Sequence, residues 1–168
     1  MIPIVNQKLM NFKPMEFVQI VKTLSRKKMI DNALYSSIAK YFTDKHEFCN
    51  SEDISDIYKI GVIDFQSIPN FSKFADCIDM CTRKLYRSFT PQQIIRMYVK
   101  YDSPVHFLTA VARKRLMSRA HTLLLTNRMK AQDAYTLHQM LSVGVKAPEE
   151  LDMIEKIEEY TKRAKFVQ

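Results

Sequence analysis

The chain has 168 residues, 46% of them apolar and only two of them Gly, and it carries a formal charge of +8. That is enough apolar material for one sizeable core, which excludes a disordered chain. Two isolated glycines, Gly61 and Gly144, cannot build the Gly-rich turn that cradles phosphate in nucleotide-binding folds; three cysteines are an odd number for a disulfide framework, and no run approaches the ~20 apolar residues of a membrane span.

Four times along the chain an apolar residue stands just before a helix start and is matched five residues later by a second apolar or small one. The pairs are Phe12/Phe17, Cys49/Ile54, Phe89/Ile94 and Met129/Ala134. This is the spacing of a hydrophobic staple, and the starts lie 37, 40 and 40 residues apart, the period of a stacked helix hairpin. The expected fold is all-α, a short α-solenoid of about four helix-hairpin repeats in a single domain spanning 1–168. The units run approximately over 12–48, 49–88, 89–128 and 129–165. MIPIV at the amino terminus is the one short β-branched run, placed where fraying is expected.

In the first unit Phe12, Pro14, Phe17, Ile20, Val21 and Leu24 predict one helix, with Lys13 a poor cap. A turn near Met29 to Asp31 leads to a second helix carrying Leu34, Ile38, Tyr41 and Phe42. The second unit offers Asn50 as a cap, then Ile54, Ile57 and Tyr58; after Pro69 come Phe71, Phe74, Ala75 and Ile78. In the third, Thr90 caps, Pro91 suits the first helical position and Gln93 completes a capping box ahead of Ile94, Met97, Tyr98 and Tyr101. Asp102-Ser103-Pro104 ends that helix, and Phe107, Leu108, Val111 and Arg115 fall on one stripe of the next. Residues 116–128 exceed a short connector, so this helix is expected to run long or to be followed by an extra turn. The fourth unit has Ala134, Leu137, His138 and Leu141, a turn from Gly144 to Pro148, and then Leu151, Ile154 and Ile157.

FKPMEFVQIVKTL at 12–24 and FTPQQIIRMYVKY at 89–101 open with Phe-x-Pro ahead of an apolar helical stripe. In this they resemble the heptatricopeptide and octotricopeptide repeats of mitochondria and plastids and the repeat region of FAST-kinase-like proteins. Ser51 and Ala131 stand where the other two units would carry the Pro. The resemblance spans residues 12–160 and implies organellar RNA as partner, with accessory proteins of mitochondrial ribosomes among its members. It implies a mitochondrial location, with another organelle or the cytoplasm as alternatives, and it carries over no individual base-reading residue.

Charge is segregated along the chain. Residues 83–130 hold eleven Lys and Arg against one acid, Asp102, whereas residues 50–82 hold two against six. A stretch of this kind favours polyanions. Lys84, Arg87, Arg96, Lys100, Arg113, Lys114, Arg115, Arg119, Arg128 and Lys130 are therefore the candidate RNA-phosphate contacts, with an acidic protein neighbour as the competing partner. Tyr86, beside Arg83, Lys84 and Arg87, is the candidate stacking platform; the other tyrosines lie mostly on apolar stripes and suit the core.

His46-x-x-Cys49 and Cys77-x-x-x-Cys81 could supply four zinc ligands, but the spacing matches no familiar finger and buried thiols are the better expectation. His106, His121 and His138 sit in no nucleophile–base motif, and His138 is expected in the core. Glu149, Glu150, Glu155, Glu158 and Glu159 suit a solvated last helix with i,i+4 pairs to its bases. No catalytic residue, metal or cofactor is expected. Two functions stay open: a non-enzymatic component of an organellar ribonucleoprotein such as the mitochondrial ribosome, or a structural subunit of a protein complex, for example a respiratory one, without RNA contact.

Overall fold

A computed structural model of the chain describes residues 11–26, 32–61, 71–98, 109–143 and 147–165. The MIPIV run, the turns at Met29–Asp31 and Gly144, Pro69, and the stretch with Lys100, Tyr101, Asp102–Pro104, His106, Phe107 and Leu108 lie outside the described residues. The described residues form eight α-helices and no strand: α1 Pro14–Arg26, α2 Asn32–Lys45, α3 Ser51–Gly61, α4 Phe71–Leu85, α5 Pro91–Tyr98, α6 Ala110–Leu125, α7 Ala131–Leu141 and α8 Pro148–Lys165. Short 3-10 turns, His46–Phe48 and Tyr86–Ser88, follow α2 and α4.

The helix starts follow one grammar. Phe17, Ile54, Ile94 and Ala134 each donate their backbone N–H to the carbonyl of the cap residue four positions earlier, at 2.9–3.1 Å. The staple partners Cys49, Phe89 and Met129 are buried, and Phe12 is half-buried against the same core. Thr90 and Gln93 make a reciprocal capping box: the Thr90 N–H reaches Gln93 Oε1 at 2.9 Å and the Gln93 N–H reaches Thr90 Oγ1 at 3.3 Å. Asn50 caps α3 in the same way, accepting from Glu52 and Asp53 while its own N–H goes to Asp53. Lys13 has no side-chain acceptor to offer the helix start, but its N–H reaches Glu16 Oε2 at 3.0 Å, so the poor cap is half-rescued by the acid three residues on. Thr90→Ala is expected to cost about 1 kcal/mol in urea denaturation, and Lys13→Ala much less.

These starts place the helices in two rows. In one, α1 packs on α3, α3 on α5 and α5 on α7; in the other, α2 packs on α4, α4 on α6 and α6 on α8. The rows join within hairpins, where α3 meets α4, α5 meets α6 and α7 meets α8. In the first hairpin Phe17 stacks on Tyr41, with ring centroids 3.8 Å apart and planes 7° from parallel, and meets Phe42 edge-on at 5.7 Å. Phe42 continues the aromatic chain to Phe74 of the next unit at 6.4 Å. The Tyr41 hydroxyl, buried with the ring, donates to the Phe12 carbonyl at 2.7 Å, so the one polar atom of this aromatic cluster is satisfied.

Helix α6 does run long, to Leu125, and ends in a Schellman motif: the Arg128 N–H reaches the Leu123 carbonyl at 2.9 Å and the Asn127 N–H reaches Leu124 at 3.1 Å. Asn127 takes φ 55°, a left-handed conformation that Asn tolerates better than most residues. Two helix phases differ from expectation. Thr109 caps α6 through Ala112, and the buried face is Ala112, Leu116, Met117, Ala120, Leu123 and Leu124, which turns Val111 and Arg115 outward. In α8 the buried residues are Glu150, Met153 and Ile157, and Leu151 is exposed. Glu150 enters the interior because its carboxylate accepts the Ala147 N–H at 2.8 Å at the helix start. It is thus no part of a solvated acidic face.

Candidate nucleic-acid interface

The most basic stretch of sequence divides into two populations according to where each cation's partners lie. The first is neutralised inside the array. Arg96 of α5 reaches Glu52 at 2.6 Å, Asp56 at 2.7 Å and the Ser55 hydroxyl at 3.3 Å on α3. Asp56 also receives Lys22 of α1 at 2.6 Å, and Gln93 donates to Glu52 at 2.6 Å. Three successive helices of one row are tied by this cluster, and Asp56 at its centre is buried. Burial works against the Arg96 charge, but the Glu52 and Asp56 carboxylates outweigh it and hold the guanidinium above its ordinary value. Arg113 is likewise engaged, with Nε 3.1 Å from Glu149 of α8. Arg83 binds Asp79, which also accepts the Thr109 N–H at 2.7 Å and so anchors the start of α6.

The second population stays in water. Lys84, Arg87, Lys114, Arg115, Arg128 and Lys130 are exposed and form no ion pair among the described residues. Aromatic and cationic groups converge where α4 ends against the middle of α6. Tyr86 lies in the turn after α4, with the guanidinium carbons of Arg87 and Arg115 at 5.6 and 5.5 Å from its ring centroid. Arg87 Nε also reaches the Tyr86 hydroxyl at 3.0 Å. Arg115 Nη1 donates to the Arg83 carbonyl at 2.7 Å, a cation on the negative end of the α4 dipole. Arg119, half-buried, donates from Nε to the Phe89 carbonyl at 3.1 Å, fixing the next helix start to α6. Lys84 and Lys114 flank this group in sequence and are exposed.

Of the ten sequence-predicted contacts, Arg87 and Arg115 thus meet at Tyr86, while Lys84 and Lys114 are exposed beside them in sequence. Arg128 and Lys130 lie one unit further, at the start of α7, and Lys100 lies outside the described residues. Arg96 and Arg113 are engaged by carboxylates within the fold, and Arg115 and Arg119 by backbone carbonyls. The sequence carried a signal for the Arg96 pairings that composition alone hides. Glu52 and Asp56 stand 44 and 40 residues before Arg96, close to the 40-residue spacing of the helix starts at Cys49 and Phe89, so aligning those two starts sets acid against base.

The Glu52 carboxyl is held below its ordinary value by the hydrogen bonds from Arg96 and Gln93. A carboxyl lowered in this way contributes stability that is complete above its unfolded value, about 4.3, and is lost as pH falls through the lower folded value. Glu52→Gln is therefore expected to lower the urea midpoint at neutral pH, with the gap to the wild type closing below about pH 4.

The remaining sequence candidates fall elsewhere. His138 is half-buried at the surface, not in the core, because its ring turns toward Glu158 of α8, with Nε2 and Oε1 3.1 Å apart. Cys49, Cys77 and Cys81 are free, buried thiols. Among the described residues no group of three or more His, Cys, Asp or Glu is arranged to hold a metal ion, and no helix is long and apolar enough to cross a membrane. No protein family, curated protein or solved structure matches the chain.

Proposed function

We propose that the chain is a short α-solenoid of four helix hairpins serving as a non-enzymatic, RNA-binding component of an organellar ribonucleoprotein, with a mitochondrial ribosome the assembly suggested by its Phe-x-Pro repeats. Two rows of alternately packed helices and the four matching helix starts support the repeat architecture. The observation that carries the function is the separation of the two cation populations. The fold consumes Arg96, Arg113 and Arg83 on carboxylates and leaves Arg87 and Arg115 at one tyrosine, and Lys84 and Lys114 exposed, without a carboxylate partner among the described residues. Exposed cations of this kind suit phosphates, and guanidinium planes beside an aromatic ring suit the faces of unpaired bases.

Ultraviolet cross-linking of the native assembly, followed by peptide mapping, tests this reading. Adducts are expected on peptides from 83–130, and ribonuclease treatment is expected to release the chain. A second reading, a structural subunit held by protein alone, draws on a groove of about 550 Å³ lined by Phe12, Pro14, Met15 and Phe48 with Lys13 and Lys45. Met15 and Phe48 are 65% and 70% exposed there, unusual for large apolar side chains of a chain that works alone. Co-purification that survives ribonuclease, without adducts, is the result that reading requires.

A further inference from the structure

A cavity of about 210 Å³ lies between the end of α2 and the last turns of α4, lined by His46, Glu47, Cys49, Met80, Cys81, Lys84 and Leu85. Its rim is exposed at Glu47, Met80 and Lys84, and its floor holds two thiols, Cys49 and Cys81, with Cys77 one helical turn before Cys81. All three thiols face carbonyls at the end of α2: Cys77 reaches Phe42 O at 3.5 Å, Cys49 reaches Lys45 O at 3.6 Å and Cys81 reaches His46 O at 3.8 Å. The hydrogen bond at Cys81 is the longest, so ionising that thiol sacrifices the least hydrogen bonding. It is also the thiol with a lysine one turn ahead of it on its own helix and a histidine across the cavity.

We propose that Cys81 is a covalent modification site whose cavity admits a low-molecular-weight disulfide. The Cys81 thiolate attacks one sulfur of that disulfide, the reagent's S–S bond breaks, and a mixed disulfide forms on Cys81. The other half leaves as a thiolate and takes a proton from water; the thiol proton of Cys81 has already passed to solvent. The incoming disulfide is the oxidant, reduced by the two electrons with which the thiolate forms the new bond.

The surroundings select one thiol from three. Cys81 is lowered by the neighbouring Cys77 thiol, with His46 and Lys84 adding attraction and burial opposing them. Cys49 is pushed up to about 12 by burial, with Asp53 and Cys81 adding repulsion. Cys77 is raised by its neighbour Cys81 and by burial. Other titratable groups near Cys81 are Glu47 on the cavity rim and Tyr58 of α3, the latter neutral because burial raises it. At neutral pH the reactive form is therefore concentrated at Cys81.

The test uses the whole folded chain with 2-hydroxyethyl disulfide, quenched over time and mapped by peptide mass. Cys81 is expected to be labelled more than about tenfold faster than Cys49 or Cys77, with a rate midpoint below the ordinary thiol range. Cys77→Ala, which removes the neighbouring thiol, and Lys84→Gln are each expected to move that midpoint upward, and Cys81→Ser to remove the fast phase while leaving the circular dichroism unchanged. Equal labelling of the three thiols, first labelling at Cys49, or labelling of Cys81 only after unfolding would overturn the assignment. None of these readouts involves RNA, so they stand apart from the binding reading.

Discussion

Reversing Lys84, Arg87 and Lys114 together to Glu is expected to weaken binding of single-stranded RNA by on the order of 100-fold at physiological salt and to leave stability almost unchanged. All three are exposed, and none forms an ion pair among the described residues. Every phosphate left without its cation takes about 0.7 off the slope of log affinity against log salt, so the slope should fall by about 2 in the triple variant. Arg96→Glu forms the internal contrast. It places a third acid against Glu52 and Asp56, so its effect should appear first as reduced stability. A filter-binding titration beside a urea curve separates the two outcomes. Equal RNA affinity in the triple variant and the wild type would remove the basic cluster from the interface.

The second large effect concerns the ionic centre of the α1–α3–α5 row. Asp56→Ala is expected to lower the unfolding free energy by about 3 kcal/mol. The buried carboxylate is held by Lys22 at 2.6 Å and Arg96 at 2.7 Å, and deleting it leaves Lys22 without its carboxylate and Arg96 with Glu52 alone. This figure lies at the low end for a broken buried pair because Lys22 and Arg96 retain 19% and 25% side-chain exposure. Removing all three charges in Lys22→Met, Asp56→Leu, Arg96→Met should recover much of the stability, since the penalty belongs to unpaired charge rather than to missing charge. A coupling near zero in the corresponding mutant cycle would show that the cluster contributes nothing to the row's stability.

The helices were largely legible because helix starts carry local rules. Thr90–Gln93, Asn50 and the four apolar pairs act within a few residues, where sequence distance and spatial distance coincide. Helix phase was less legible where the apolar signal was weak: on α6 the buried face alternates Ala112 and Ala120 with Leu116 and Leu124, so Val111 looked the stronger candidate and lies outside. Glu150 misled for another reason, since a carboxylate bound to its own helix start is buried despite its charge.

Charge segregation marked out a basic segment but could not divide it. Arg96 and Arg113 look like Arg87 and Arg115 in sequence, and what separates them is an acid one unit away in each case: Asp56 and Glu52 for Arg96, Glu149 for Arg113. Tyr86 was singled out by its basic neighbours in sequence, and Arg115, which completes the cluster from α6, becomes its neighbour only when α4 and α6 pack.

The RNA affinity of the unmodified chain across a salt series bears most directly on the proposed function. With five or six exposed cations engaged, log affinity for a single-stranded oligoribonucleotide should fall linearly with log salt, with a slope of about −3 to −4. A slope near zero, or no binding at about 50 mM salt, the low-salt end of such series, would contradict an RNA-phosphate role for the Lys84–Arg87–Arg115 cluster.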